Sequence, residues 1–165
     1  MVLDIGAGVG AVHVGLLEAG AARAVDVDAS REYQAAARAE AERRGLAGRV
    51  EYRYGDIVEL ADSLPPADIV TADAVICCYP YLVPFLEAAL RSRPRLVRLT
   101  YPHEAWWMRI GMRVYNLLSA LRHRPEHWFI HRRREIDRYM DAAGYREIHR
   151  GGRWYGIVVV YRRAA

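Results

Sequence analysis

The sequence predicts an α/β fold, in which one sheet carries helices on both faces. Two observations lead to this prediction. Apolar strand-like segments alternate with helix-like segments along roughly the first hundred residues, which is typical of a parallel sheet. Two further strand-like segments then follow one another at the C-terminal end, with no helix between them. Such a pair indicates an antiparallel hairpin at the end of the parallel sheet.

Length and composition fit one globular domain. The 165 residues are 53% hydrophobic, which is enough for a sizeable core. No uninterrupted apolar run reaches the roughly 18 residues of a membrane-spanning helix, and no signal peptide is visible. Cys77 and Cys78 are sequence neighbours that make a poor disulfide, which fits a reducing compartment. We therefore expect a single cytoplasmic domain over residues 1–165.

Charge is distributed unequally along the chain. Residues 1–90 hold 7 Arg and 14 acidic residues, whereas residues 91–165 hold 17 Arg and 6 acidic residues. A cationic ligand suits the first segment and an anionic partner suits the second. A solvated arginine surface explains the second segment equally well.

The first three strand–helix units follow from short apolar runs and clear helix ends. Strands are predicted at residues 2–5, 23–28 and 50–54, and helices at residues 10–19, 30–45 and 56–64. Ser30 is the expected N-cap of the second helix, and Gly45 is its expected stop.

The alternation continues to about residue 101 and then changes. A strand at 68–72, a helix at 81–92 and a strand at 95–101 complete the parallel part, and helices at 104–122 and 132–143 precede strands at 145–150 and 153–163. Gly151 and Gly152, between the last two strands, are predicted to form the hairpin turn.

Helix 104–122 is amphipathic. Its apolar residues recur at helical spacing, with arginines between them: Trp106, Trp107, Ile110, Val114, Leu117, Leu118 and Leu121. The simplest interpretation is that this stripe covers the core, and the alternative is peripheral contact with a membrane surface. Two adjacent tryptophans cannot both face the core, so we expect one of them to contact a ligand or a partner.

The first strand runs into a glycine-rich turn that two kinds of cofactor use. The residues from Gly6 to Gly10 form a GxGxG pattern, and Ala11 in the last place also satisfies the looser dinucleotide fingerprint. Asp26 and Asp28 lie about 20 positions further on, where an acidic residue binds ribose hydroxyls in either case. The glycine spacing therefore does not decide between the cofactors.

Three other features favour a cationic nucleotide over a dinucleotide. Asp4, just before the glycines, would repel a pyrophosphate and attract an ammonium group. Gly55 and Asp56 follow the third strand, where the carboxylate can accept a hydrogen bond from an adenine amino group and the Ile57 N–H can reach a ring nitrogen. The terminal hairpin is foreign to the dinucleotide fold.

With these features the chain resembles the class I S-adenosylmethionine-dependent methyltransferases over nearly its whole length. The segments "VLDIGAGVG", "VDVDAS", "YGDI" and "ADIVTADAV" are similar, in this order, to the glycine motif, second acidic loop, adenine loop and fourth strand of that family. The resemblance implies a Rossmann-like, doubly wound, seven-stranded sheet whose last strand is antiparallel. It also implies S-adenosyl-L-methionine as the cofactor.

The resemblance further implies which residues line that cofactor. Asp28 would take the ribose hydroxyls, Ala29 would lie against the adenine, and Asp73 would lie near the methionine end. We prefer Asp28 to Asp26 because it is last in its strand and because the two side chains are expected to point to opposite faces. The predicted cofactor-binding residues are Asp4, Gly6, Ala7, Gly8, Gly10, Asp28, Ala29, Asp56, Ile57 and Asp73.

The segments "DAVICCYPYL" and "LTYPHEAWWMRI" are similar to the magnesium-protoporphyrin O-methyltransferase group. In that group a His-Tyr-Pro-like segment follows the fourth strand and its histidine is a proposed base, whereas Cys78 holds the matching place here. The resemblance implies O-methylation of an apolar or aromatic small molecule, which helix 104–122 would cap. Magnesium would belong to such a substrate, so no protein-bound metal is predicted.

Tyr79 and His103 are the candidate catalytic residues, because they follow the fourth and fifth strands at the edge of the sheet where ligands bind. Tyr101 is a further candidate. His103 equally suits the cap region of the next helix. Cys78 is more simply a small buried side chain than a reactive thiol.

Three other functions stay open. An NAD(P)-dependent oxidoreductase would use the same glycines, and a methyltransferase-like domain without turnover would bind the same cofactor. A nucleic-acid methyltransferase would use the basic second segment, but "CCYPY" lacks the Asn/Asp-Pro-Pro-Tyr/Phe motif, so no nucleic-acid partner is expected. Related enzymes place a helical segment before the first strand. We therefore expect a truncated or minimal chain that retains its cofactor weakly.

Overall fold

The computed structural model describes residues 1–123, 127–153 and 156–164, which form one seven-stranded sheet of order β3-β2-β1-β4-β5-β7-β6. The strands are β1 (Val2–Ile5), β2 (Ala24–Asp28), β3 (Val50–Tyr54), β4 (Ile69–Asp73), β5 (Leu96–Pro102), β6 (Tyr145–Arg153) and β7 (Gly156–Arg163). β1 to β5 run parallel, and β7 is antiparallel to both β5 and β6. The predicted α/β fold with an antiparallel last strand is confirmed.

In the described part of the chain, helices connect the strands at the predicted places. They are α1 (Ala11–Glu18), α2 (Arg31–Arg43), α3 (Ile57–Leu60), α4 (Leu82–Leu90), α5 (Trp106–Leu121) and α6 (Arg133–Ala142). The predicted N-cap of α2 is confirmed, because Ser30 Oγ accepts a hydrogen bond from the Tyr33 backbone N–H at 3.2 Å.

The two faces of the sheet are covered by different helices. α3, α4 and α6 cover the face with the larger core, in which Phe85, Ile136 and Met140 are fully buried. α1 and α2 lie on the other face, where Val14 and Leu17 of α1 pack on β1 and β2 in a smaller core. Because β1 to β5 all point the same way, their carboxyl ends meet at one edge of the sheet. The helices cover the two faces and leave this edge open.

The predicted turn at Gly151 and Gly152 is wrong. Both glycines belong to β6, paired with Val158 and Ile157 of β7. A Cβ atom added to Gly152 would lie 2.6 Å from the Gly156 carbonyl oxygen, so close backbone packing, not a turn, requires glycine there. The connection between the two strands, at residues 154–155, lies outside the described residues.

The expectation that the apolar stripe of α5 covers the core is also wrong. Ser119 is the buried residue of this helix, while Trp106 and Leu121 are 73% and 69% exposed. The inner side of α5 is held by a polar contact instead. The Asn116 side chain donates to the Trp128 carbonyl oxygen at 2.8 Å and accepts from the Trp128 N–H at 2.9 Å.

Candidate functional site

The central strands β1 and β4 end side by side, at the point where the strand order reverses. The turn after β1 begins with Gly6, whose φ is +60° and whose added Cβ would lie 2.4 Å from a methyl group of Val75, just after β4. Only glycine fits this close approach. In doubly wound sheets, the crevice at such a reversal is where ligands bind.

The glycine turn is joined directly to the acidic end of β2. The Gly8 N–H donates to Asp28 Oδ2 at 2.9 Å, and the Ser30 N–H donates to Asp28 Oδ1 at 2.8 Å. Gly8 has a φ of +56°, and a Cβ added to it would meet no atom within 4 Å. The space above this turn is therefore open, and a carboxylate is fixed at its border.

Asp26 and Asp28 differ in depth, not in face. They lie two residues apart in β2, so their side chains point to the same face of the sheet, and the expectation of opposite faces is wrong. Asp26 is completely buried, and its Oδ1 accepts a 3.4 Å hydrogen bond from Gln34 Nε2. Asp28 is 8% exposed and lies at the open edge, which supports the preference for it.

Asp4 lies beneath the glycine turn and is 1% exposed. Its Oδ2 accepts hydrogen bonds from the His13 backbone N–H at 3.2 Å and from His13 Nδ1 at 3.0 Å, and its Oδ1 accepts one from Thr71 Oγ1 at 2.5 Å. Both carboxylate oxygens are thus engaged with α1 and β4. The direct attraction of a ligand ammonium group that the sequence suggests for Asp4 is not the arrangement seen.

We name Asp4, His13, Asp26 and Thr71 the buried polar cluster. The His13 ring is fully buried under Gly10, whose added Cβ would lie 2.9 Å from Nε2, and this nitrogen has no hydrogen-bond partner in the structure. Asp26 Oδ2 is also buried without a partner. Burial raises the pKa of Asp26 to about 6, although the nearby His13 opposes this shift.

Asp56 and Tyr79, predicted for separate roles, are in contact. The Tyr79 hydroxyl donates to the Asp56 carboxylate, with 3.0 Å to each oxygen, and Asp56 Oδ1 also caps α3 by accepting from the Val58 N–H at 2.8 Å. Burial and the Asp56 hydrogen bond raise the pKa of Tyr79 to about 12. Tyr79 therefore keeps its proton at neutral pH and does not accept one there as a general base would. Its catalytic role stays a prediction.

The segment before α6 packs on the loop after β4, which sequence reasoning missed. His131 Nε2 donates to the Tyr79 carbonyl oxygen at 2.8 Å, and the Phe129 N–H donates to the Cys77 carbonyl oxygen at 2.6 Å. The Tyr79 ring lies 5.4 Å from that of Phe85. No motif marks His131, because its contact spans about 50 residues of chain and depends on how α5 folds back.

The remaining candidates lie at different depths along the same edge. Cys77 is buried and Cys78 is exposed, so the expectation of a buried Cys78 is wrong. Tyr101 is 3% exposed and belongs to the core, which removes it as a surface candidate. His103 is half-buried and lines a cavity of about 600 Å³ with Glu104 and the arginines at the start of α6.

The other predicted cofactor residues also follow strand ends. Asp73 ends β4 and pairs with Arg98 of β5, with 3.1 Å between Oδ1 and the guanidinium. Ala29 is exposed after β2, and the side chain of Ile57 is buried at the start of α3. Ala7 accepts the Gly10 N–H through its carbonyl oxygen at 2.9 Å, which closes the turn.

Among the described residues, no group of three or more His, Cys, Asp or Glu side chains is placed to hold a metal ion. The described helices also include none that is long and apolar enough to cross a bilayer. The expectation of no bound metal stays a prediction.

The family described as "Methyltransferase domain" matches residues 2–98, which is more than half of the chain. The chain belongs to this family. The matched residues include the glycine turn, Asp28, Asp56 and Asp73, and S-adenosyl-L-methionine is the cofactor of methyltransferases with this fold, as the sequence predicts. This assignment replaces the dinucleotide interpretation of the glycines. No curated protein matches the sequence.

Solved structures share the fold of this methyltransferase domain. Magnesium protoporphyrin IX methyltransferase from Synechocystis, with bound SAH, has a TM-score of 0.78 at 19% identity, over 99% of this chain and 74% of that one. An O-methyltransferase family 2 protein from Planctomyces limnophilus, in complex with apigenin, has a TM-score of 0.76 at 18% identity, over 99% of this chain and 49% of that one.

A proposed RNA methyltransferase from Pyrococcus horikoshii also has this fold, with a TM-score of 0.69 at 17% identity, over 99% of this chain and 75% of that one. The methyltransferase domain thus shares its fold with proteins named for small-molecule and for RNA substrates. The expectation that it takes no nucleic acid therefore stays a prediction.

Proposed function

We propose that the chain is an S-adenosylmethionine-dependent methyltransferase that O-methylates an apolar or aromatic small molecule. The observation that carries the cofactor side of the proposal is the contact between the Gly8 N–H and Asp28 Oδ2, at 2.9 Å. It fixes a carboxylate beside an open glycine turn, at the strand-order reversal where nucleotides bind. This arrangement is suited to a nucleoside with free ribose hydroxyls.

Different residues at the open edge would bind different parts of the cofactor. Asp28 would accept from the ribose hydroxyls, since each of its oxygens uses only one acceptor site on the backbone. Asp56 would accept from the adenine amino group, and the turn from Gly6 to Gly8 would border the methionine part. The buried Asp4 would act by positioning, because it ties α1 and β4 together below the turn.

The chemistry supplied by the cofactor is an electrophilic methyl group on a sulfonium with a good leaving group, so positioning supplies much of the rate. The role of the protein is to hold the acceptor oxygen in line with the bond between the methyl carbon and the sulfonium sulfur. Tyr79 keeps its proton, with a pKa of about 12, so it would orient an acceptor by hydrogen bonding. An acceptor that is already ionised, such as a carboxylate or an acidic phenol, fits this site best.

Methyl transfer from labelled S-adenosylmethionine into a metabolite extract tests this proposal. We expect a labelled apolar or aromatic product, from which mild alkali releases the label if it is a methyl ester and only a strong demethylating acid releases it if it is a methyl ether. Labelled RNA or protein, with no labelled small molecule, would contradict the proposed acceptor class. Absence of any transfer by a protein that binds the cofactor would contradict the enzymatic role.

A matched pair of glycine variants ties the activity to the site. Gly8→Ala and Gly45→Ala both place a Cβ in open space at a positive φ, of +56° and +69°. Both should therefore cost about 1–2 kcal/mol of stability. Only Gly8→Ala should lower cofactor affinity, because its methyl group fills the space above the turn.

A second candidate function is binding without turnover. It is favoured by the raised pKa of Tyr79, about 12, because this candidate catalytic residue keeps its proton at neutral pH and supplies no general base. This candidate predicts measurable S-adenosylhomocysteine binding together with no methyl transfer to any component of the extract.

A further inference from the structure

The outward side of α5 carries a continuous apolar surface. Five residues, each 50–73% exposed, form this outer face: Trp106, Ile110, Val114, Leu117 and Leu121. At about 100° per residue they fall within a strip about 80° wide along the helix. Scattered exposed apolar residues need no explanation, whereas a strip along four turns of one helix indicates an interaction surface.

The fold does not need this surface for its own packing. The opposite side of α5 holds the helix in place, through the hydrogen bonds of Asn116 to the Trp128 backbone and the buried Ser119. The Tyr115 ring also contacts that of Trp128, with 6.1 Å between the centroids. The outer face is therefore directed away from the protein by contacts that do not involve its own residues.

The charges around the outer face identify what it fits. Arg109 and Arg113 lie one or two positions from its apolar residues, and Arg122 follows the helix. Residues 105–123 contain these three arginines and no acidic residue, while Glu104, just before the helix, lies 3.5 Å from the Arg109 guanidinium and leaves Arg113 and Arg122 as the other cations. A helix with tryptophan and aliphatic side chains on one face and arginines beside it is the pattern of a helix that lies in a membrane interface.

We propose that α5 docks the protein on an anionic lipid surface, with the outer face in the acyl boundary and the arginines at the headgroups. α5 starts just after β5 ends at the open edge of the sheet, so docking would bring that edge close to the bilayer. The proposal concerns the helix surface alone and does not depend on the methyl acceptor.

Vesicle co-sedimentation tests the proposal with the full chain. The wild type should bind vesicles that contain phosphatidylglycerol and should bind phosphatidylcholine vesicles far less. High salt should weaken binding, because the lipid charge is screened. Arg113→Gln should lower the partition coefficient about fivefold, the contribution of one arginine near an anionic surface.

Ile110→Glu and Leu117→Glu should each lower binding more than tenfold, because a carboxylate replaces an apolar group in the interface. Ile148→Glu is the matched control, since Ile148 is 46% exposed on β6 and lines a cavity with Met1 and Leu96 at the opposite edge of the sheet, so this variant should bind like the wild type. Circular dichroism of each variant checks that the fold is retained.

Two results would overturn the proposal. One is failure of the wild type to bind phosphatidylglycerol vesicles at low salt, or equal binding of these vesicles by the wild type and Ile110→Glu. The other is a dimer in sedimentation velocity that Ile110→Glu and Leu117→Glu dissociate while lipid binding is absent. That result would assign the outer face to a second copy of the chain.

Discussion

Two regions of this molecule reverse the usual relation between polarity and burial. Beneath the glycine turn, the buried polar cluster holds Asp4, His13 and Asp26 at 0–1% exposure. On the outer face of α5, Trp106 and Leu121 are 73% and 69% exposed. The first region places ionisable groups where apolar ones belong, and the second does the opposite.

The two regions differ in whether the protein itself supplies partners for the unusual side chains. The polar cluster has internal partners: Asp4 is bonded to α1 and β4, so its cost is offset by contacts that hold the glycine turn. The outer face has no such internal compensation in its own side chains, and its apolar area is available to a partner. Departures from local rules of this kind concentrate at functional sites.

The largest effect is expected where the polar cluster is broken. Asp4→Ala removes the acceptor of three hydrogen bonds and leaves the buried His13 side chain without its partner. We expect a loss of about 3–5 kcal/mol in the free energy of unfolding, measured by urea denaturation. Asp68→Ala is the control, because that carboxylate pairs with the N-terminus at the surface and should contribute less than about 1 kcal/mol. Equal losses in both variants would refute the special role of the cluster.

The second effect concerns pH. The pKa of Asp26 is about 6 in the folded protein, above its usual value of 3.8, so the folded state binds more protons than the unfolded state between about pH 4 and pH 6. This group therefore makes the protein less stable as pH rises through that window, by up to about 3 kcal/mol. Asp26→Asn does not titrate, so its stability relative to the wild type should rise from pH 4 to pH 7. A constant difference across this range would contradict the assignment.

A third effect is expected at the contact between Tyr79 and Asp56. Tyr79→Phe removes the hydroxyl that occupies the Asp56 carboxylate. If Asp56 recognises the adenine amino group, the variant should bind S-adenosylhomocysteine a few times more tightly, and Asp56→Asn should bind it more weakly. Calorimetry measures both. Weaker binding by Tyr79→Phe would mean that its hydroxyl contributes to the site and does not compete for it.

The smallest effect is expected on α5. Leu117→Ala should change the free energy of unfolding by less than about 0.5 kcal/mol, since the side chain is 61% exposed. Met140→Ala on α6, where the side chain is fully buried, should cost about 2–5 kcal/mol. Similar losses in the two variants would show that the outer face packs against the protein in solution.

The sequence predicts the strands and helices well because each has its own hydrophobic periodicity and its own residues that mark where it begins or ends. Ser30 caps α2 as expected, and the glycine turn meets Asp28 at the end of β2. Periodicity cannot say which side of α5 meets the protein, because the deciding contact is between Asn116 and the Trp128 backbone. The Tyr79–Asp56 contact joins loops after non-neighbouring strands, so no local pattern reports it.

Calorimetry with S-adenosylhomocysteine and NAD, on the wild type and on Asp28→Asn, is the sharpest test of the cofactor site. We expect the wild type to bind S-adenosylhomocysteine and not NAD. We expect Asp28→Asn, folded by circular dichroism, to bind at least about tenfold more weakly, since a charged acceptor of ribose hydroxyls contributes about 1.5–3 kcal/mol. Binding of NAD in preference to S-adenosylhomocysteine, or equal affinity in Asp28→Asn, would contradict the role of Asp28 as the ribose-binding residue of a methyltransferase.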